Sequence, residues 1–268
     1  MPASKSEFIS SPANPLLKEV RKAAVRGALT DSGCMLAETF HLLEEALSSE
    51  CRVRTVIAAQ SVSAAVDEQL GDPNGVRLVV VPDSLLQAIA GVEAAKGVVA
   101  LVEPPRWSLE HMLRKPQLTL VIDGVQDPGN LGTILRSAEA FGASGVLLLK
   151  GTVSPFNPKV VRASAGSIFR APFLYGLEDT DALAALHGQG VQIYAAVPHT
   201  DSSRWLSAAD LTRACAIVIG SEGSGVNATL RQAAMEIAIP TVGVESLNAA
   251  VAASVLLYEA RRQRARHK

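Results

Sequence analysis

The chain has few aromatic residues and little net charge. Phe, Trp and Tyr make up 4% of its 268 residues, whereas proteins that bind single-stranded nucleic acid stack the bases on aromatic side chains. The composition therefore argues against an aromatic stacking platform. The formal net charge is −1, so any site for nucleic acid has to be a local basic patch.

Cysteine is scarce as well, and long apolar runs are missing. Cys34, Cys51 and Cys215 are an odd number without C-x-x-C spacing, which argues against a disulfide framework and a zinc site. The histidines form no H-E-x-x-H pattern, so we expect no metal. Residues 1–11 lack the apolar segment of a signal peptide, and no apolar run reaches membrane-spanning length. We therefore expect a cytoplasmic location.

The pattern that is present is an alternation of strands and helices. At 48% hydrophobic residues the chain can bury two cores. We predict an α/β fold, with a smaller N-terminal domain over residues 1–105, a proline-bounded linker over 106–116 and a parallel-sheet domain over 117–268. In the first domain we predict a helix over 15–26 and strands at 53–59, 76–81 and 97–102. In the second we predict strands at 118–122, 145–149, 191–197, 216–219 and 236–239.

The first candidate motif follows the strand at 118–122. Asp127 and Asn130 lie in a turn-rich segment between this strand and a helix, at the edge where open α/β sheets bind ligands. We expect Arg136 in the early turns of that helix. Taken alone, the segment is equally compatible with a structural turn and an exposed arginine.

The second motif is Gly220-Ser221-Glu222-Gly223-Ser224-Gly225, directly after a buried strand. Its glycines allow close backbone approach to a ligand. It lacks the G-K-[ST] of a phosphate-binding loop, and Glu222 disfavours a phosphate and suits a cationic or hydroxyl-rich ligand.

The third motif runs from Ile239-Pro240 to Ser246-Leu247-Asn248. Ser246 can cap the final helix, which is a purely structural role. On that helix Val251, Val255 and Tyr258 continue an apolar stripe from Leu247, and this stripe belongs either to the core or to an interface.

Together the three segments resemble the SpoU (TrmH-like) family of RNA ribose methyltransferases. The order and spacing of the motifs from Asn130 to Arg136, from Gly220 to Gly223, and from Ile239 to Asn248 carry the resemblance, which extends over about the whole chain. The N-terminal half is similar to the family's small substrate-binding domain. Three departures are Thr241, where methionine is usual, Ala249-Ala250 in place of the common Val-Ser, and Thr39, where glycine often follows Glu38.

The resemblance implies a trefoil-knotted methyltransferase domain that binds S-adenosylmethionine and pairs into a homodimer. Arg136 would be the key catalytic group, positioned near the ribose 2′-hydroxyl, with Asn130, Glu222, Ser246 and Asn248 shaping the site and holding it. The implied cofactor-binding residues, several acting through their main chain, are Gly220, Ser221, Gly223, Ile239, Leu247 and Asn248.

RNA affinity should come from local cations. Lys18, Lys22 and Arg26 are four residues apart and share one face of the first helix. Arg162 with Lys159 and Arg170, and the basic C-terminal tail, are further candidates. The alternative for each run is a solvated helix face. Ribosomal RNA is the favoured substrate, because an N-terminal domain of this type is more usual in the family's ribosomal RNA enzymes.

Three alternatives stay open at this point. The RNA could be a transfer RNA. The chain could bind RNA without methylating it, although the intact polar motif residues argue against this. It could also be an unrelated nucleotide-binding enzyme, against which the missing G-x-G-x-x-G counts.

Overall fold

The computed structural model describes residues 6–71, 75–89, 97–112 and 117–265. The chain divides into two units. The first comprises Met1–Pro105 and Ser154–Arg170, and the second comprises Arg106–Val153 and Ala171–Lys268. The first unit also contains a later segment, Ser154–Arg170, that lies within the range predicted for the catalytic domain.

The first unit contains a five-stranded mixed sheet with the order β1-β4-β3-β5-β2, in which β5 is antiparallel to both of its neighbours. Its elements before residue 105 are β1 (Glu7–Phe8), α1 (Pro15–Arg26), β2 (Met35–Glu38), α2 (Phe40–Leu47), β3 (Val53–Ala59), α3 (Ser63–Leu70), β4 (Arg77–Val81), α4 (Asp83–Ile89) and β5 (Val98–Val102). The core side chains come mainly from β-branched and leucine residues of the sheet and from the inner face of α1.

The helix α1 begins and ends as its sequence predicts. The Asn14 side chain accepts a hydrogen bond from the backbone N–H of Leu16 at 2.9 Å, and Pro15 occupies the first helical position, where its missing N–H costs nothing. The helix ends at Gly27, whose φ of 61° is left-handed. Leu17, Val20 and Ala23 are buried, so the cationic face points away from the core.

Thr39 adopts a backbone conformation that favours glycine. Its φ is 151°, a value that glycine adopts more easily than other residues, so glycine would suit this turn between β2 and α2. The threonine offsets part of that strain, because its Oγ1 accepts a hydrogen bond from the Leu42 N–H at 3.1 Å and so caps α2.

The second unit contains a seven-stranded sheet, and every strand pairing in it is parallel, as the alternation predicts. The remaining elements are α5 (Leu109–Met112), β6 (Leu118–Asp123), α6 (Pro128–Phe141), β7 (Gly145–Leu149), α7 (Pro158–Ala163, in the first unit), β8 (Phe173–Leu177), α8 (Asp179–Gly188), β9 (Gln192–Ala196), β10 (Arg204–Trp205), β11 (Cys215–Gly220), α9 (Ala228–Gln232), β12 (Met235–Ala238) and α10 (Ala249–Ala265).

The strand order in this sheet is β10-β12-β9-β11-β6-β7-β8. The late strand β12 lies between β9 and β10, both of which precede it in the chain. After β12 the chain crosses back, and α10 packs against α6 and β11. The carboxyl ends of β9, β11 and β12 consequently lie side by side at one edge of the sheet.

Part of the segment predicted as a linker, residues 106–116, forms the short helix α5 and packs into the second unit. Met112 on α5 is fully buried in the core of the second unit. A Cβ at Gly145 would lie 2.6 Å from the Met112 Cε atom, so the methionine fills the space above this glycine. Residues 113–116, including Pro116, lie outside the described part of the chain.

The composition argues against membrane-spanning helices, metal-binding clusters and cysteine pairs, and the structure bears on each of these expectations. Within the described residues no helix is long and apolar enough to cross a membrane. Among the same residues, no cluster of three or more His, Cys, Asp or Glu side chains could hold a metal ion. All three cysteines are free thiols, and burial raises the pKa of each above its ordinary value, which keeps them protonated and unreactive near neutral pH.

In the first unit, Arg162 on α7 donates a hydrogen bond to Glu38, which ends β2. The Glu38 side chain is 1% exposed and that of Arg162 is 24% exposed. A buried carboxylate of this kind depends on an adjacent cation, because water does not solvate it. Arg162 therefore has a structural role, which is a correction to its assignment as an RNA-binding residue.

We predict that Arg162→Ala destabilises the protein by on the order of 3 kcal/mol, because it removes a cation beside a buried carboxylate. Thermal and urea unfolding of the full chain measure this loss. Arg77→Ala is the matched control in the same unit, since Arg77 and Glu7 form an ion pair whose side chains are 50% and 48% exposed; its loss should stay within about 1 kcal/mol. Equal stabilities for the two variants would contradict the structural role.

Candidate active site

A pocket of about 460 Å³ lies at the carboxyl ends of β9, β11 and β12 in the second unit. Three loops enclose it: the one after β9, the glycine-rich loop after β11 and the loop between β12 and α10. Seven of the predicted site residues line it, namely Gly220, Ser221, Glu222, Gly223, Ile239, Ser246 and Leu247. Three others, Asn130, Arg136 and Asn248, are not among the lining residues.

The glycine-rich loop closes on itself. The Gly225 N–H donates to the Ser221 carbonyl at 3.0 Å, and a Cβ at Gly220 would lie 2.1 Å from the Gly225 carbonyl carbon. Gly220 is therefore needed for the approach of two backbone segments of the protein. A Cβ at Gly223 would meet no atom within 4 Å, so backbone packing does not account for this second glycine.

The loop between β12 and α10 is held by its own polar groups. Thr241 Oγ1 donates to the Val244 carbonyl at 2.8 Å. The final helix starts at Ala249 and is capped by Asn248, whose Oδ1 accepts from the N–H groups of Ala250 at 3.0 Å and Val251 at 3.3 Å. The expectation that Ser246 caps this helix is thus wrong, and Ser246 lines the pocket instead.

Three motif residues form a chain of hydrogen bonds beside the pocket. Because Asn248 Oδ1 faces the helix, its Nδ2 points outward and donates to Asn130 Oδ1 at 3.0 Å. Asn130 Nδ2 in turn donates to Glu222 Oε1. Residues that lie 92 and 118 positions apart in the sequence are thereby fixed in one orientation.

The first motif is more helical than predicted. Asp127 caps α6 by accepting the Asn130 N–H at 2.8 Å, so Asn130 lies in the first helical turn and not in a loop. Arg136 is in the middle of the helix, about 12 Å along the axis from its start. Its side chain slants back toward the helix N-terminus, as helical side chains do, and therefore toward the ligand edge of the sheet.

Arg136 is exposed. Within the described part of the chain its guanidinium forms no ion pair and no side-chain hydrogen bond. The proposed holding of Arg136 by Asn130, Glu222 and Asn248 is therefore absent from this structure, since those three side chains bind one another. A free guanidinium is able to bind a phosphate or ribose oxygen with its full set of donors.

One wall of the pocket was missed by sequence reasoning. The pocket is lined by Ala196, the last residue of β9, and by Val197, Pro198 and Thr200, which follow it. These residues belong to no motif. Their role could have been predicted only from their position, because β9 lies next to β11 and the carboxyl ends of adjacent parallel strands form the binding edge.

The predicted RNA-binding cations of the first unit divide into two groups. Lys18 and Arg26 are exposed on α1, and Lys22 is exposed there as well although it pairs with Asp31 at 2.6 Å. Arg162, by contrast, is committed to Glu38, and Arg170 pairs with Glu45 at 2.6 Å. The α1 set, Lys159 and Arg170 are thus exposed, whereas Arg162 is only 24% exposed.

The basic tail is also partly structural. Arg264 donates to the carbonyls of Gln117, Leu211 and Arg213 at 2.7–2.8 Å, where it ties the end of α10 to the starts of β6 and β11. Arg262 pairs with Glu259. Arg266 and Lys268 lie outside the described residues.

Comparison with known proteins agrees with this arrangement. The family model of the SpoU rRNA Methylase family matches residues 117–258, and that of the MRM3-like substrate binding domain matches residues 14–100. An uncharacterised tRNA/rRNA methyltransferase of Synechocystis sp. is 36% identical over 95% of this chain and 93% of its own length. A 23S rRNA (guanosine(2553)-2′-O)-methyltransferase of Bacillus subtilis is 30% identical over 94% of this chain and 98% of its own.

The same likeness holds in three dimensions. The AdoMet-bound rRNA methyltransferase from Sinorhizobium meliloti superposes with a TM-score of 0.82 at 28% identity, covering 96% of this chain and 98% of that one. Since the family model covers the pocket, the hydrogen-bond chain and Arg136, and since two relatives match nearly end to end, this chain belongs to the SpoU rRNA methylase family.

Proposed function

We propose that the protein methylates a ribose 2′-hydroxyl of RNA with S-adenosylmethionine, and that ribosomal RNA is its substrate. The observation that carries this proposal is the chain of hydrogen bonds that fixes Asn130, Glu222 and Asn248 beside the pocket. Arg136, which is exposed and makes no ion pair within the described residues, lies on the same helix as Asn130. The curated relatives and the solved AdoMet-bound structure support both the reaction and the cofactor.

The pocket suits S-adenosylmethionine. Its volume of about 460 Å³ lies in the range of small-ligand sites. Ile239 and Leu247 supply apolar side chains, and the glycine-rich loop exposes backbone groups. Glu222 and Glu245 are the carboxylates at the pocket, which suits a ligand that carries a cationic sulfonium and an ammonium group.

The bound cofactor supplies an activated methyl group. The protein then has to position the ribose hydroxyl and assist loss of its proton. Arg136 is a poor base, because a guanidinium group stays protonated in proteins. We assign it the positioning of the ribose oxygen or its phosphate, with electrostatic stabilisation as negative charge develops on the attacking oxygen.

RNA binding is assigned to the first unit. The exposed cations of α1, namely Lys18, Lys22 and Arg26, form one face. Lys159, in the first turn of α7, lies near the end of α1, because Asn157, which caps α7, lies against Gly27. Such a surface binds phosphates and positions the RNA without reading its bases. Transfer RNA is the alternative substrate, and an RNA-binding protein without activity is the alternative function.

We also propose a cytoplasmic homodimer with a knotted catalytic domain. Support for the knot comes from β12, which lies between two earlier strands before α10 crosses back, a path that ordinary folds avoid. Support for the dimer comes from exposed apolar residues near the pocket: Val242, Val244, Val251 and Tyr258 are 48–99% exposed, a surface that a monomer leaves in water.

The function is tested by transfer of labelled methyl groups to separated ribosomal and transfer RNA pools, followed by mapping of 2′-O-methyl positions. We expect label in ribosomal RNA from the wild type. We expect Arg136→Ala to reduce kcat on the order of 100-fold or more while it leaves cofactor affinity and melting temperature unchanged, because Arg136 binds no other side chain in the described residues.

Arg136→Lys is the matched control for charge. It should also be poor, since lysine keeps the charge but lacks the planar donor fork. A folded Arg136→Ala variant with near wild-type turnover would remove the catalytic assignment. Label in transfer RNA alone would favour the alternative substrate, and no label with either RNA would favour the inactive RNA-binding protein.

Asn248→Asp separates the two roles of this residue. The carboxylate still caps α10, so we expect an unchanged melting temperature. It cannot donate to Asn130 Oδ1, so Asn130 loses its orientation toward Glu222, and we expect methyl transfer to fall on the order of tenfold. Asn248→Ala, which removes the cap as well, should in addition lose about 1 kcal/mol of stability. Wild-type turnover by Asn248→Asp would show that the hydrogen-bond chain is dispensable.

Val251→Glu tests the dimer. Sedimentation should give about twice the chain mass of 28.1 kDa for the wild type and the single-chain mass for the variant, because a carboxylate in an apolar interface is costly to desolvate. Val25→Glu is the control, as Val25 is 81% exposed on α1 of the first unit. A wild-type monomer at micromolar concentration would contradict the proposal.

A further inference from the structure

The pocket wall after β9 has no regular secondary structure. β9 ends at Ala196, and residues 197–200 follow it without helix or strand. Val197, Pro198 and Thr200 nevertheless line the pocket. Backbone outside the regular elements needs other contacts to hold one conformation, because each residue fixed costs about 1–2 kcal/mol of conformational free energy.

Polar contacts close this segment into a tight turn. The Thr200 N–H donates to Ser203 Oγ at 2.9 Å, and the Ser203 N–H donates to the Thr200 carbonyl at 3.1 Å. His199 Nδ1 lies 3.2 Å from the same Ser203 Oγ. His199 alternates with the two lining residues Pro198 and Thr200, and its ring is directed at another partner.

That partner is Trp205. The His199 and Trp205 rings are stacked, with centroids 3.8 Å apart and planes inclined by 17°. Trp205 belongs to β10, which pairs with β12 in the register Trp205↔Ala238. The next residue, Ile239, lines the pocket. The stack therefore joins the irregular wall, through β10, to β12, and Ile239 directly after β12 lines the same pocket.

We propose that Trp205 and His199 are positioning residues for cofactor binding: their stack holds the wall Val197–Pro198–Thr200 in its binding conformation without contact to the cofactor. This inference rests on the proposed function, because it takes S-adenosylmethionine as the ligand. A wall that is already ordered binds its ligand with a smaller loss of conformational entropy, so the stack acts on affinity and leaves Arg136 and the transfer step untouched.

The test is calorimetric titration of the full-length protein with S-adenosylmethionine, together with kcat and the KM for the cofactor at saturating RNA. Trp205→Ala and His199→Ala should each weaken cofactor affinity and raise KM roughly three- to tenfold, the loss expected for one aromatic pair. Both should keep kcat within about twofold. Trp205→Phe, which preserves a stacking ring, should retain most of the affinity.

Two controls separate positioning from a general loss of structure. Tyr175→Ala removes an aromatic side chain of similar exposure, 45% against 40% for Trp205, from β8 at the opposite edge of the same sheet, and should bind the cofactor as the wild type does. In a double-mutant cycle the Trp205→Ala and His199→Ala losses should be strongly non-additive, since either variant removes the whole stack.

The outcomes distinguish this inference from the proposed function. A wild-type protein that fails to bind S-adenosylmethionine refutes the function. If the wild type binds while the folded Trp205→Ala and His199→Ala variants bind equally well, the function stands and the positioning role is wrong. Additive losses, or a fall in kcat at unchanged KM, would also overturn the positioning role.

Discussion

The side-chain amide of Asn248 connects the parts of the site. Its oxygen caps α10, and its nitrogen donates to Asn130 at the start of α6. Since the cap leaves only the nitrogen facing outward, the orientation of Asn130 follows, and with it the hydrogen bond to Glu222. Two helix starts and the glycine-rich loop are thus held by one geometrically determined chain of donors and acceptors.

The contact between α6 and α10 continues below this chain. The Ser137 and Ser254 hydroxyls lie 2.7 Å apart, and the rings of Phe141 and Tyr258 meet edge to face at 6.0 Å. From the first contact to the second, the residue numbers rise on both helices, so the two helices run parallel. Arg136 lies on α6 between Asn130 and Ser137, which both contact α10 or its cap. Packing of the helix therefore fixes its backbone, while its guanidinium stays free in the described structure.

Much of the sheet and most of the pocket could be predicted from the sequence. The central strands are buried β-branched runs, so β3 and β7 match their predicted bounds and β6, β9, β11 and β12 differ by one or two residues at their ends. Edge strands carry a weaker signal: β8 contains Gly176 and is largely exposed, and β10 has two residues. Helices as short as α7 and α9 contain too few turns for apolar periodicity to show.

Roles that depend on distant partners could not be predicted in the same way. Arg162 lies 124 residues from Glu38, and nothing local distinguishes its side chain from the exposed cations of α1. Arg264 similarly appeared as part of a basic tail, although it binds three backbone carbonyls. The residues next to a cation in the sequence do not show whether its side chain is exposed. Its role is structural when its partner, a carboxylate or a carbonyl, is buried.

Two loops of the pocket keep their shape in different ways. Thr241 stands where methionine is usual, yet it donates to the Val244 carbonyl and closes the pocket loop by itself. Gly220 allows less freedom, because its α-carbon lies against the Gly225 backbone. The Thr241 hydroxyl supplies a donor that a methionine lacks, so this closure of the loop depends on the threonine. Where two backbones touch, as at Gly220, only glycine fits.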